Sequence, residues 1–150
     1  MKITAQLIRE VREETGAPMA RTKQVLEEVA GDRKKAGAIL TKEGFAKMEK
    51  RADRETSSGT IAVYKHHTGK VAVMVTLLCE TDFVAKNEMF VSLGNDIAMQ
   101  VASMNPKTAD ELLAQDFIKD PSKKMHDLVK EVITKTGENI RLGDFVRYEL

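Results

Sequence analysis

The hydrophobic period first changes near residue 60, and that change constrains the fold more than any other feature. From Thr4 to Leu40 apolar residues recur at spacings of three and four, the repeat of a helix face. From Thr60 to Leu78 they alternate, the repeat of a strand with one buried side. Residues 47–58 between them are densely charged and then small and polar, which marks a solvated linker or a frayed helix end. The expected fold is α+β, with residues 1–55 as a three-helix module ending in that charged stretch and residues 56–150 as the core domain.

The first module carries its own punctuation. Thr4 can cap a helix whose apolar face is Leu7, Ile8 and Val11, and Gly16 can end it in the left-handed conformation. Pro18 suits the first turn of a second helix that presents Met19, Thr22, Val25, Leu26 and Val29. Gly31 closes it, Asp32 caps the third helix, and Ala36, Ile39 and Leu40 point inward from there. A unit this small has a modest core and is read as a docking module.

In the core domain, Ile61 and Val63 alternate with Ala62 and Tyr64, and Val71, Val73, Val75 and Leu77 alternate with their neighbours. Two antiparallel strands joined around residues 67–70 are expected. Phe90, Leu93, Ile97, Val101 and Met104 then form one helical stripe, ended by Asn105-Pro106. Thr108-Ala109-Asp110-Glu111 has the form of a capping box for a short helix carrying Leu112, Leu113 and Phe117. Asp120-Pro121 is expected to open a third helix, buried through Met125, Leu128, Val129, Val132 and Ile133 and closed by Gly137. A last strand over residues 139–148 completes a small three-stranded antiparallel sheet packed against helices.

Several chemistries find no support. The 24 basic and 23 acidic residues leave a net charge of +1, without the one-signed excess of a nucleic-acid binder. Two tyrosines and no tryptophan give no stacking platform for single strands. The amphipathic start at Met1 and Lys2 is unlike a signal peptide, and no apolar run approaches the ~20 residues of a membrane span. The single cysteine, Cys79, lies in an apolar run and reads as a buried thiol. His66 and His67 are neighbours in a strand or turn and are expected to point to opposite faces, and His126 lacks a second ligand at helical spacing. Phosphate loops, nucleophile elbows and Cys-x-x-Cys pairs are missing, which leaves protein binding as the default and no cofactor expected.

That default becomes specific at Cys79-Glu80-Thr81-Asp82-Phe83-Val84-Ala85-Lys86-Asn87-Glu88, where a strand meets a helix that Thr81 or Asp82 can cap. Helical spacing between Phe83 and Phe90 favours Phe83 as core. The alternative is an exposed aromatic anchor, the residue class that carries interface energy.

The run from Thr81 to Asn87 resembles the Thr-Asp-Phe-Val signature of the elongation factor Ts family. Val11-Arg12-Glu13-Glu14-Thr15-Gly16-Ala17-Pro18-Met19 with Lys23 resembles the opening helical module of that family, and Ala30-Gly31-Asp32 its Gly-Asp turn. Gly137-Glu138-Asn139-Ile140 resembles the stretch beside the Thr-Asp-Phe-Val tip. Pro18 departs from a glycine common in the family, and Arg21-Thr22 from an Asp-Cys pair. The length is similar to short forms with a single core half, in which a second protomer can complete the core.

The resemblance implies a cytoplasmic guanine-nucleotide exchange factor that binds elongation factor Tu and promotes GDP release with no covalent chemistry. It implies a tip formed by Thr81, Asp82, Phe83 and Val84, an adjacent turn of Gly137, Glu138 and Asn139, and a second contact through Arg12, Met19, Ala20 and Lys23. A homodimer is a further expectation, with Tyr148 near an open sheet edge; nucleic-acid and membrane contacts are not. Two rival readings are an adaptor, because the opening module resembles ubiquitin-associated domains, and an enzyme pairing Asp82 with His126.

Overall fold

The computed structural model describes residues 3–150, with the backbone alone at residues 45–50, so the reading of the start at Met1 and Lys2 lies outside the described residues. Three helices come first: α1 (Ala5–Thr15), α2 (Met19–Glu28) and α3 (Arg33–Arg51). The Thr4 hydroxyl accepts the Leu7 amide at 3.1 Å, satisfying one of the orphan donors at the start of α1. Gly16 ends that helix at φ 68°, and its N–H donates to the Arg12 carbonyl at 2.8 Å. A side chain there would also strike Lys135, which lies against the end of α1.

Val11, Val25, Leu26, Ala36 and Leu40 form the buried centre of this module. Thr22 is buried with them because its hydroxyl finds the Pro18 carbonyl at 3.0 Å. Met19, expected on the same stripe, is instead 57% exposed. It is the first residue of α2, so the neighbouring helices do not reach over it. The third helix is longer than its apolar residues require and continues to Arg51, so the charged stretch begins as helix. Gly44 lets α3 approach the later helix α7 (Met125–Thr136) closely, since a Cβ there would meet the Thr134 methyl at 2.9 Å.

The sheet contains β1 (Ser58–Lys65), β2 (Val71–Cys79) and β5 (Arg141–Glu149), all antiparallel and in the order β1-β2-β5. Its inner face carries Ala62, Val73, Val75, Leu77 and Cys79, which pack beneath α5 (Glu88–Met104). Phe90, Leu93, Ile97 and Val101 are the matching buried face of α5, and Met125, Val129, Val132 and Ile133 come from α7. A shift of register between Val75 and Leu77 lets the Thr76 hydroxyl reach the Asp144 carbonyl at 3.1 Å.

Two expectations fail between α6 (Ala109–Ala114) and α7. Phe117 does not ride on α6; it is buried in β3 (Asp116–Phe117), which pairs with β4 (Asp120–Lys124). The segment from Asp120 is therefore a strand, and α7 opens at Met125 instead of Pro121. The cause is local hydrogen bonding. Asp120 accepts both the amide and the hydroxyl of Ser122, while Asp127 accepts the Lys124 amide at 3.0 Å and so fixes the start of α7. Buried Gln100 holds the other strand, donating to Gln115 and the Asp116 carbonyl and accepting the Ile118 amide.

The histidine pair also departs from expectation. Its rings lie 4.1 Å apart, because His66 and His67 fall in the turn after β1 and not in alternating strand geometry. Among the described residues, no group of three His, Cys, Asp or Glu could hold a metal, and no helix is long and apolar enough to cross a membrane.

Candidate protein-docking site

The chain leaves β2 at Cys79, turns through Glu80 and Thr81, and makes a single-turn helix, α4 (Asp82–Ala85). The Thr81 hydroxyl caps this turn, facing the Val84 amide at 3.4 Å. Val84 is the one buried residue of α4 and fastens it to the core, whereas Phe83 is 91% exposed. The core assignment that spacing favoured for Phe83 is overturned. Asn87 explains why: its extended backbone breaks the helix, and its side chain accepts the Met89 amide at 2.9 Å to begin α5. Phe83 and Phe90 therefore belong to two separate helices, not to one stripe.

An exposed aromatic on a four-residue helix would be poorly held without outside support. That support comes from the turn after α7. Gly137 ends α7 at φ 76°, which reverses the chain and brings Glu138 and Asn139 beneath the tip. The Glu138 carboxylate accepts three hydrogen bonds, from the Glu80 amide at 3.1 Å, the Thr81 amide at 3.0 Å and the Thr81 hydroxyl at 2.6 Å. In return, the Asn139 amide donates to the Glu80 carboxylate at 2.7 Å. At the front of the tip, the Ser58 hydroxyl donates to Asp82 at 3.2 Å, tying α4 to the start of β1.

The same turn reaches the inter-module segment. Buried Asn139 donates through its side-chain amide to the carbonyls of Ala52, at 3.2 Å, and Arg54, at 2.9 Å. Arg54 also lies 3.7 Å from the Glu80 carboxylate. Cys79 sits under the tip as a free, buried thiol that donates to the Thr81 carbonyl at 3.2 Å. Burial, then the charge of Glu138, pushes its pKa up, which suppresses the reactive thiolate.

The structure thus brings together Thr81, Asp82, Phe83 and Val84 with Gly137, Glu138 and Asn139. It does not bring Arg12, Met19, Ala20 and Lys23 into that cluster. These four lie on the surface of the first module, where Met19, Ala20 and Lys23 are exposed near the start of α2 and Lys23 is 3.9 Å from Glu27. Arg12 is exposed in the last turn of α1. The rival pairing of Asp82 with His126 finds no shared geometry: Asp82 takes Ser58, and His126 lies 3.5 Å from Asp127. Sequence reasoning missed Ser58, Glu80, Ala52 and Arg54, whose roles depend on contacts between distant parts of the chain. No local spacing announces a backbone carbonyl as a partner.

A second exposed feature is the outer face of the sheet. Ile61 and Val63 on β1, Met74 on β2, and Val146 and Tyr148 on β5 all point away from the helices and are exposed. Registers Val63 to Met74 and Met74 to Val146 make this a continuous apolar strip across all three strands.

A braced aromatic tip, a separate exposed patch on a helical module and an open apolar sheet face are surfaces of the kind suited to docking on other proteins. Comparison with known proteins makes the class particular. The family model described as elongation factor Ts matches residues 80–150. Elongation factor Ts of Oleidesulfovibrio alaskensis is 37% identical over 193 aligned positions, covering 99% of this chain and 98% of that protein. Those of Leptospira biflexa and Fervidobacterium nodosum are each 37% identical over 195 positions, covering 100% of this chain and 98% and 99% of theirs. The chain belongs to the elongation factor Ts family, whose name places it among the factors of translation elongation. The alignments are longer than the 150 residues of the chain, so each relative carries positions that have no counterpart here.

Proposed function

We propose that this chain binds elongation factor Tu in the cytoplasm and drives release of its GDP by contact alone, with no bond made or broken and no cofactor. The observation that carries this reading is the solvent position of Phe83 on a turn held on one side through the Thr81 amide and on the other through the Asp82 carboxylate. A large aromatic kept out of the core and prevented from collapsing onto it is suited to enter an apolar crevice of a partner. Insertion of Phe83 beside the Mg²⁺ and nucleotide of elongation factor Tu would disturb that site. Thr81, Asp82 and Val84 hold the tip, and the turn at Gly137, Glu138 and Asn139 lies beneath it and braces it.

Residues 1–55 act in this reading as a second docking module, gripping another patch of the partner through Arg12, Met19, Ala20 and Lys23. Residues 56–150 are the core that presents the tip. Linkage requires reciprocity: if the factor weakens nucleotide binding, nucleotide weakens factor binding by the same factor, so the complex dissolves when fresh nucleotide enters. A coupling of ~1–3 kcal/mol corresponds to a change of about 5- to 150-fold. Direct contact with nucleic acid or membrane has no part in it.

The outer sheet face fits a second copy of this chain. Its apolar strip runs across the sheet, and a two-fold pairing places the same strip on itself. A homodimer would complete the core from both protomers.

The test is release of a fluorescent GDP analogue from elongation factor Tu, chased with excess GDP, in the presence of the wild-type chain or Phe83→Ala. Strong acceleration by the wild type and little by the folded variant is the expected result. A folded wild-type chain that leaves the rate unchanged would sink the reading.

A further inference from the structure

We infer that Glu138 is a positioning residue for the Phe83 tip and not a contact for the partner. The inference deepens the proposed function and rests on it for the identity of the partner. Three donors converge on the Glu138 carboxylate, from Glu80 and twice from Thr81, residues more than fifty positions away in the chain. One oxygen serves both backbone amides and the other serves the hydroxyl, so both oxygens of the carboxylate are already engaged. A charged acceptor used this way makes its strongest bonds inside the molecule.

The hydroxyl bond has a second effect. Thr81 donates its proton to Glu138, which leaves its oxygen lone pairs free to face the Val84 amide as the cap of α4. Glu138 thereby orients the cap, and the cap orients the turn that carries Phe83. The neighbouring contacts support the same end: the Asn139 amide holds the Glu80 side chain, so the two segments grip each other from both directions. Apart from buried Val84 and the Ser58–Asp82 bond, α4 relies on this clasp for its direction.

A positioning role and a contact role make opposite predictions for three measurements. Gln has the shape of Glu and a carbonyl oxygen that accepts both amides, so Glu138→Gln should retain most of the stimulated GDP release. Glu138→Ala should lower it by about tenfold to a hundredfold, the range seen when a supporting group is removed or a reacting group is displaced. In the Phe83→Ala background, Glu138→Ala should add nothing, because residues acting through one another are not additive. In the free protein, Glu138→Ala should speed amide hydrogen exchange at Glu80 and Thr81 by about tenfold or more, as loss of a bond to a charged acceptor requires.

Equal losses in Glu138→Gln and Glu138→Ala, or additive losses with Phe83→Ala, would overturn the inference in favour of direct contact. Unchanged amide exchange would overturn it from the structural side. Should Glu138→Ala fail to fold, Thr81→Val removes the hydroxyl bond to Glu138 together with the cap it orients, leaves both amide bonds in place, and carries the same cycle. The amide measurement needs no partner, so it decides the positioning role even if wild-type chain fails to release GDP, a result that would count against the proposed function alone.

Discussion

Phe83 and Phe90 are the same side chain on consecutive helices, yet Phe83 is 91% exposed and Phe90 is fully buried. The difference lies in what precedes each. Phe90 follows Asn87, which starts α5 in the direction that lays its apolar face on Val75 and Leu77. Phe83 follows Thr81, whose backbone is held by Glu138 and which points the first turn outward. Aromatic residues are commonly interior, and leaving one in water forfeits the ~1.5–3 kcal/mol its burial would contribute. That a fold forfeits it while spending several hydrogen bonds on holding the ring away from the core supports the proposed docking role of Phe83.

The comparison can be broken most forcefully from the buried side. Phe90→Ala leaves a cavity between α5 and the sheet and should cost about 3–5 kcal/mol, read as a lowered midpoint in urea unfolding. If Phe90→Ala were as mild as Phe83→Ala, the contrast would be false. Phe83→Ala should change stability by no more than ~0.5 kcal/mol while weakening partner binding by about 2 kcal/mol or more, measured by titration against nucleotide-free elongation factor Tu.

A finer division comes from the break between the two helices. Asn87→Ala removes the side-chain cap of α5 and should cost about 1 kcal/mol in thermal unfolding. The smallest expected effect on stability is on the outer sheet face. Val63→Lys should leave monomer stability within ~0.5 kcal/mol but shift sedimentation from dimer to monomer, whereas the same change at inward Val75 should unfold the core.

Much of the framework was legible in residues whose local chemistry has one main use. Thr4, Gly16, Asp32, Thr108 and Gly137 mark helix ends in the sequence and do so in the structure. The alternation from Val71 to Leu77 read correctly as a one-sided strand. What failed was a matter of competition between local and distant bonds. Asp120-Pro121 looks like a helix start, but the Asp120 side chain is taken by Ser122 and buried Gln100 holds the facing segment as strand. The Phe83 spacing misled because periodicity cannot register a helix that stops and restarts within a turn. The resemblance at Thr81 to Asn87 located the tip, but the Glu138 clasp that holds it joins segments too far apart for any pattern in the sequence to pair them.

Asn139 joins the two halves of the chain. By gripping the carbonyls of Ala52 and Arg54, it fastens the end of the helical module to the turn that supports the tip, and Gly44 against Thr134 closes the two halves further along. The span between the Met19 patch and Phe83 is thus set before any encounter. Once either surface lands, the other is presented at high local concentration, and no search over linker conformations dilutes it. In the proposed two-site reading, a partner whose patches are spaced differently would gain no such advantage, and this one buried amide would serve as a gauge of partner dimensions.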